Sequence, residues 1–404
     1  MVKNEKALRE MYDWAKKELI DIMEVYIRHA YDPDGGFYGA VSREFVANKD
    51  ADRGLVLNAR ILWTFAGAYR VLRDPRYLEM ANHAKAYIQK YFIDPQYGGA
   101  YWTVHADGSP SNETKYPYGI SFIIYGGAEL ARASGDRDAA AMARKMYDDL
   151  EEHALDKVNG GYYETFTRDW KRRSDSFNIK DPSLGSKALN THLHLIESYT
   201  NLMRVDDDPK VHSKVGSLID IMTNKLLDIE HYHYKPYMTD DWGATDTLFS
   251  YGHDIEGAWL LTEALEAYGD EALIEKHKET SVRITAACEA GLDPVTGGLF
   301  YEGNESGPFE RMMSWWPQAE ATVGFFNAYQ LTGDDRFLKL AQDMIEHIKK
   351  YYSDREGCVF REWLSRGDIG AHDKPNDLRL HIWKTPYHNG RMCMELIERI
   401  GKML

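Results

Sequence analysis

Six short stretches of this chain put titratable and aromatic side chains at the start of helix-forming sequence. They are Asn58-Ala59-Arg60, Tyr116-Pro117-Tyr118, Asn190-Thr191-His192-Leu193-His194, Tyr251-Gly252-His253-Asp254-Ile255-Glu256, Trp315-Trp316-Pro317-Gln318-Ala319-Glu320 and Trp383-Lys384-Thr385-Pro386-Tyr387-His388-Asn389. Helical spacing sorts them further. Asn190, His194 and Glu197 fall at i, i+4 and i+7, His253 and Glu256 at i and i+3, and Trp316 and Glu320 at i and i+4. Histidine, with an ordinary pKa of about 6.5, serves as base and as conjugate acid near neutrality. Two histidines across a cavity suit removal of a proton from one face of a carbon and its return to the other. An arginine such as Arg60 would stabilise the enolate oxygen that develops between those steps. A single buried histidine is ordinarily a hydrogen-bonded core residue. Histidines, an arginine and carboxylates recurring at one phase of a repeat call for a shared site.

That phase is set by the rest of the chain. From Arg60 to Tyr118, His194, His253, Trp316 and His388 the steps are 58, 76, 59, 63 and 72 residues. The same period carries Asp-led glycine turns that run into aromatic or β-branched residues: Asp32–Gly36, Asp94–Gly99, Asp156–Gly161, Asp293–Gly298 and Asp354–Gly357. A degenerate copy without glycine, Asp228 to Tyr237, fills the remaining interval. A fixed period of this size marks one supersecondary unit used repeatedly. Between the turns lie two helical stretches separated by an acidic break, as at Arg73-Asp74-Pro75, Gly135-Asp136 and Gly333-Asp334. The unit reads helix, tight turn, helix, glycine turn, hairpin. Six units predict an all-α (α/α)6 barrel of about twelve helices, with short β-hairpins in the loops at one end. The first helix (Ala7 to His29) and the last (Asn389 to Lys402) would close the circle; an open α-solenoid is the alternative.

Composition narrows the partners. The unbroken repeat argues for one catalytic domain over residues 1–404, although the length alone would suggest two or three. A formal charge of −15 argues against nucleic acid. No 18-residue apolar run and no signal-peptide block are present, so no membrane association is expected. Three scattered cysteines (Cys288, Cys358, Cys393) suit a reducing cytoplasm. Aromatics at 13% exceed what a helical core requires, and flat rings with polar edges suit sugars. A monomer or weak homo-oligomer is expected.

Other chemistries have less support. There is no H-E-x-x-H, and His192 and His194 diverge on a helix, so no metal is expected. His231 and His233 could share a strand face but lack a third ligand. No phosphate loop, dinucleotide fingerprint or nucleophile elbow is found, so no cofactor is expected. A two-carboxylate glycosidase using Glu197, Glu256 or Glu320 is the serious rival. A catalytically inert sugar-binding protein is a third reading.

The blocks around His194, His253, Trp316–Glu320 and Trp383–Asn389 resemble the signature segments of cellobiose 2-epimerases, within the wider N-acylglucosamine 2-epimerase superfamily. The resemblance runs from about residue 8 to residue 400. It implies an (α/α)6 barrel and cofactor-independent inversion of C2 of a reducing-end aldose. It makes His253 and His388 the proton-transfer pair and Arg60 the partner of the enediolate oxygen. His194 would sit at the ring-opening end, Glu256 would orient the pair, and Trp316 and Trp383 would stack on the sugar. Asn190, Tyr118 and Glu320 complete the expected sugar-binding set. Tyr118 is carried over more loosely, because Tyr116–Ile120 departs from the family's wording. The stretches His231–Tyr237 and Ala371–Leu380 also depart from it. They bear on the second sugar subsite, so disaccharide and free mannose or glucose both stand as substrates. Arg366, Asp368, His372, Asp373, Lys374, Asn376 and Asp377 would lie there or on solvated surface.

Overall fold

In a computed structural model of the chain, residues 3–175, 185–354, 360, 362–364 and 378–404 are described. Cys358, the glycine turn beyond Asp354, and the polar loop residues from Arg366 to Asp377 lie outside that set. Among the described residues there are twelve α-helices: α1 (Glu5–His29), α2 (Leu55–Leu72), α3 (Pro75–Tyr87), α4 (Pro117–Ser134), α5 (Arg137–His153), α6 (Leu189–Met203), α7 (Pro209–Asp220), α8 (Tyr251–Tyr268), α9 (Glu271–Ala287), α10 (Trp315–Thr332), α11 (Asp335–Tyr351) and α12 (Tyr387–Gly401). The even-numbered helices pack in sequence, α2 on α4, α4 on α6 and so to α12, and α12 returns to α2. The odd-numbered helices lie outside them, with α1 against α12. This is an (α/α)6 barrel. None of the described helices is long and apolar enough to cross a membrane.

Local sequence explains both rings. Every acidic break supplies an aspartate cap: Asp74, Asp136, Asp208, Asp270 and Asp334 each accept backbone N–H groups of the outer helix that follows. Inner helices are buried on nearly all sides, as in α10 from Trp315 to Tyr329, whereas α11 buries one stripe through Phe337, Ala341, Met344 and Ile348. At the C-terminal ends of the inner helices, arginines meet carboxylates of a neighbouring helix or, for Arg399, of the same helix. Arg70 pairs with Glu129 at 2.5 Å and with Glu398, Arg204 with Glu263 at 2.8 Å, and Arg399 with Glu395 at 2.7 Å. Cations there also oppose the negative ends of the helix dipoles.

The other end carries the hairpins, which tie each unit to the next. Arg53–Gly54, just before α2, pairs with Thr103–Val104 of the following hairpin. Lys187–Ala188 pairs with Tyr237–Met238, and Phe249–Ser250 with Glu302–Gly303. Leu380, before α12, bridges to Val41 of the first hairpin, which closes the ring through the backbone. The glycine turns are fixed by a buried cation two residues before the inner helix. Arg53 bonds Asp32 and the Gly35 carbonyl, Lys115 pairs with Asp94 and bonds the Gly98 carbonyl, and Lys187 bonds Asp156 at 2.8 Å and the Gly160 carbonyl at 2.7 Å. Removing one partner of such a pair costs about 3–5 kcal/mol. In the degenerate unit Tyr232 occupies the first-glycine position: its N–H donates to Asp228 O at 2.8 Å, and it takes φ +59° without being glycine.

Two hairpin tips share a design that the repeat period alone does not reveal. Trp170 (φ +62°) and Trp242 (φ +72°) are left-handed, and their N–H groups donate to Thr167 O and Thr239 O. Their indoles donate to Tyr97 O at 2.8 Å and Asn159 O at 2.9 Å and cover the Lys115 and Lys187 ammonium groups at 4.9 and 4.4 Å. The left-handed backbone costs about 1–2 kcal/mol. A desolvated cation–π contact of about 2 kcal/mol offsets it.

The fourth residue of an inner helix provides a further anchor. In α6 it is His192, whose Nδ1–H donates to Ala188 O at 2.8 Å while Nε2 accepts the Tyr162 N–H at 3.0 Å. In α10 Gln318 accepts the Leu299 N–H at 2.8 Å, and in α8 Asp254 accepts the Tyr234 N–H at 2.7 Å. Burial lowers His192 from 6.5 to about 4. Between those values the unfolded chain binds a proton that the folded chain refuses. The contribution of His192 to stability is therefore complete above pH 6.5 and lost as pH falls toward 4. Urea unfolding from pH 7 to pH 4 should give a shallower loss of stability for His192→Gln, which keeps an acceptor for Tyr162. Parallel slopes for variant and wild type would refute the assignment.

Candidate active site

The six sequence blocks open the six inner helices, and their side chains touch one another around the ring. Arg60 (α2) donates from Nη2 to Tyr118 OH (α4) at 3.0 Å and from Nη1 to Trp383 O at 3.4 Å. Its guanidinium also lies 4.4 Å from the Phe122 ring and 4.7 Å from Tyr387. Tyr118 meets His194 (α6) edge-on at 5.0 Å and Trp383 at 6.2 Å. The rings of His253 (α8) and His388 (α12) lie 4.7 and 5.6 Å from the Trp316 indole (α10). Asn190 is half-buried in the first turn of α6, one turn before His194. The residues expected from sequence thus converge at the N-terminal ends of the inner helices.

The carboxylates are arranged differently from what helical spacing alone suggests. His194 Nδ1 bonds Glu197 Oε1 at 2.7 Å, one turn along the same helix. His388 Nδ1 bonds Glu320 Oε1 at 2.7 Å, from a different helix. Glu256 reaches Arg391 of α12. Arg391 is the centre of the network: it also bonds Glu197 and the Tyr387 hydroxyl and lies 2.8 Å from Glu320. Tyr387 OH contacts both oxygens of Glu197 at 2.7 Å, and the Trp259 indole N–H donates to Glu320 at 3.0 Å. Sequence reasoning passed over Arg391. The available signal was a charged residue three positions after His388, inside the apolar run of the last helix.

Burial governs the titration of the cluster. It lowers His253 to about 3, with His194 adding to the effect, and lowers His194 to about 3 against the pull of Glu256. His388 is driven well down by burial and then by Arg60 and Arg391. Burial raises Glu197 to about 7 and Glu320 to about 8, with Arg391 opposing both shifts and Glu256 adding to the second. The ring nitrogens are thus poised to lose protons and the carboxyl groups to keep them. Two groups, His194–Glu197–Glu256 and Glu256–Glu320–His388, bring potential metal-ligand atoms within 4.8 Å of one another. Their carboxylates are engaged by the Arg391 guanidinium, which supplies the positive charge there.

A barrel with this site at one mouth has the architecture of sugar epimerases. A family profile described as N-acylglucosamine 2-epimerase (GlcNAc 2-epimerase) matches residues 36–382. A cellobiose 2-epimerase of Bacteroides fragilis is 39% identical over 95% of this chain and 97% of its own length. One from Ruminococcus albus is 36% identical over 95% and 97%. The solved cellobiose 2-epimerase of Bacillus thermoamylovorans superposes with a TM-score of 0.89 at 34% identity, covering 97% of this chain and all (100%) of the other. The chain belongs to the N-acylglucosamine 2-epimerase family and is an isomerase, a carbohydrate epimerase of the cellobiose 2-epimerase type.

Gly252, beside His253, has a positional reason. A Cβ there would lie 2.5 Å from Trp316 Cη2 and 3.0 Å from Pro317 Cγ. Gly252→Ala must displace the indole relative to the two histidines. Such overpacking costs about 1–3 kcal/mol, on the order of a 10- to 100-fold loss if expressed in kcat/KM. Steady-state kinetics on the sugar substrate with unchanged far-ultraviolet circular dichroism is the expected result. A variant with wild-type kcat/KM would show that the Trp316 position is irrelevant to turnover.

Proposed function

We propose that the protein inverts C2 of the reducing-end glucose of a β-1,4 disaccharide, converting cellobiose to glucosyl-mannose and back, without a cofactor. The observation that carries this reading is the pair of histidines packed against Trp316, of which, among the described residues, only His388 is bonded to a carboxylate. The names of the 39% and 36% identical relatives support the same reaction.

The chemistry follows from the unequal pair. After ring opening, a neutral His253 can take the C2 proton, and the C–H electrons move into C1–C2 as the aldehyde oxygen gains charge. Arg60, with a guanidinium at the same mouth, stabilises that oxygen in the cis-enediolate. The Glu320–His388 pair is the second base in its acid form. With one extra proton shared between Glu320 and His388, Nε2–H is given to the opposite face of C2 after rotation about C2–C3. The reverse reaction exchanges the two roles. His194, bonded to Glu197, stands where it can serve ring opening. Trp316 and Trp383 supply the flat faces for the reacting sugar.

His253→Ala and His388→Ala should each lower turnover by at least about 10²-fold, the usual scale for a lost general acid or base. In D2O the wild-type product should carry deuterium at C2. Epimerisation without solvent label would sink the two-base scheme in favour of hydride transfer.

The active form carries one exchangeable proton over the two histidines and Glu320. Glu320, raised to about 8, holds that proton below this pH and loses it above. A kcat/KM profile should therefore fall as pH rises through about 8. A rate that stays flat up to pH 10 would remove Glu320 from the proton inventory.

Substrate length is a separate question. If hairpins at the mouth bind a second sugar, cellobiose should exceed mannose in kcat/KM by more than about tenfold, roughly 1.4 kcal/mol of remote binding. A ratio near one, or a preference for mannose, would make the enzyme a monosaccharide 2-epimerase.

A further inference from the structure

We infer that Arg391 is a positioning residue, whose guanidinium holds the carboxylates of Glu256 and Glu320 so that Glu320 can pass a proton through His388. The inference rests on the epimerase reading above and deepens it. Arg391 is fully buried on α12, one turn after His388, and touches neither histidine through a hydrogen bond among the described contacts. Its fork instead bonds three carboxylates from three other helices: Glu197 of α6, Glu256 of α8 and Glu320 of α10. The guanidinium plane lies 4.8 Å from the Trp259 ring and 4.4 Å from Tyr387, which fix its direction. The charged and titratable groups acting on this cluster are Arg60 of α2, Tyr125 of α4, Glu197 and His194 of α6, Glu256, Glu263 and His253 of α8, Glu320 of α10, and Tyr387 and His388 of α12.

The chemical consequence lies in one hydrogen bond. When Glu320 is ionised it accepts Nδ1–H of His388, and Nε2 is the nitrogen left for the reaction. When Glu320 is protonated it donates to Nδ1 and the ring proton must sit on Nε2. Epimerisation needs both arrangements to be reachable. Like charges packed together favour protonation of one of them. Arg391 offsets that repulsion and keeps the Glu320 proton exchangeable. A lysine supplies the charge but lacks the planar fork that reaches several carboxylates at once.

The test uses Arg391→Met, Arg391→Lys and the double variant Arg391→Met/Glu256→Gln, which removes the cation together with one buried carboxylate. Three readouts are compared with wild type: kcat and KM on cellobiose, the alkaline limb of the pH profile, and the ¹⁵N chemical shifts of His388. Arg391→Met should lower kcat by at least about 10²-fold with KM changed by less than about threefold, the pattern of an interaction outside ground-state binding. Its alkaline limb should move up by about one pH unit, because an unopposed Glu320 holds its proton more tightly. The ¹⁵N signals should shift from the Nδ1–H toward the Nε2–H tautomer. Arg391→Lys should fall between, and the double variant should recover part of the limb displacement. A folded variant with a wild-type limb and wild-type ¹⁵N shifts overturns the inference, whatever its melting temperature. Should Arg391→Met alone not fold, the lysine and double variants carry the same comparison. If wild type fails to epimerise cellobiose, the functional reading falls, and the ¹⁵N shifts still decide the role of Arg391.

Discussion

One guanidinium lets three buried carboxylates share the middle of the barrel. Glu197, Glu256 and Glu320 come from three different helices and are each almost wholly inaccessible. Burial already raises Glu197 and Glu320 with Arg391 present, and without the cation the interior would hold their protons more tightly. Arg391 bonds all three, and through Glu320 and Glu197 two of the site histidines are set in place. The arrangement ties α6, α8, α10 and α12 to one another beside the candidate site.

The rest of the fold keeps those four helices in register. Strands just before α2, α6 and α8 pair with the next hairpin, Lys115 before α4 bridges to Phe166, and the bridge from Leu380 to Val41 joins the end of the chain to its beginning. The buried cations Arg53, Lys115 and Lys187 hold the glycine turns from the same position in successive units. Rotating one inner helix would break its cation–turn pair and its strand pairing together. That coupling fixes the separation of side chains on different helices, which the proposed proton transfer would require.

Much of this was legible in the sequence, and the limits have physical causes. The period of about sixty residues, the aspartate caps and the phase of Arg60, Tyr118, His194, His253, Trp316 and His388 are local signals. The barrel and the convergence of those side chains follow from them. Helical spacing also identified Glu197 as the partner of His194. The same rule applied to His253 and Glu256 pointed to a contact, whereas Glu256 reaches Arg391, 135 residues away. Nothing in local spacing ranks a partner on a neighbouring helix above one on the same helix. Arg391 was hidden for that reason, since its partners lie up to 194 residues distant. Tyr232 was obscured in another way: a left-handed tyrosine keeps the turn geometry while erasing the glycine that marks it.

The two ends of the barrel have opposite electrostatic tasks. At the C-terminal ends of the inner helices, Arg70, Arg204 and Arg399 are matched by Glu129, Glu263 and Glu395. Burial alone would raise Glu129, and Arg70 with Arg132 overcomes it, so the pair is ionised and fully matched. That end matches its own charges. At the N-terminal ends, helix dipoles and Arg60 present positive potential without a carboxylate bonded to Arg60 among its described contacts. An oxyanion formed during enolisation would find its stabilising charge already in place. Glu197 and Glu320 bond His194 and His388, and together with Glu256 they are engaged by Arg391. In the proposed reaction that guanidinium would keep their charge from opposing an anionic intermediate.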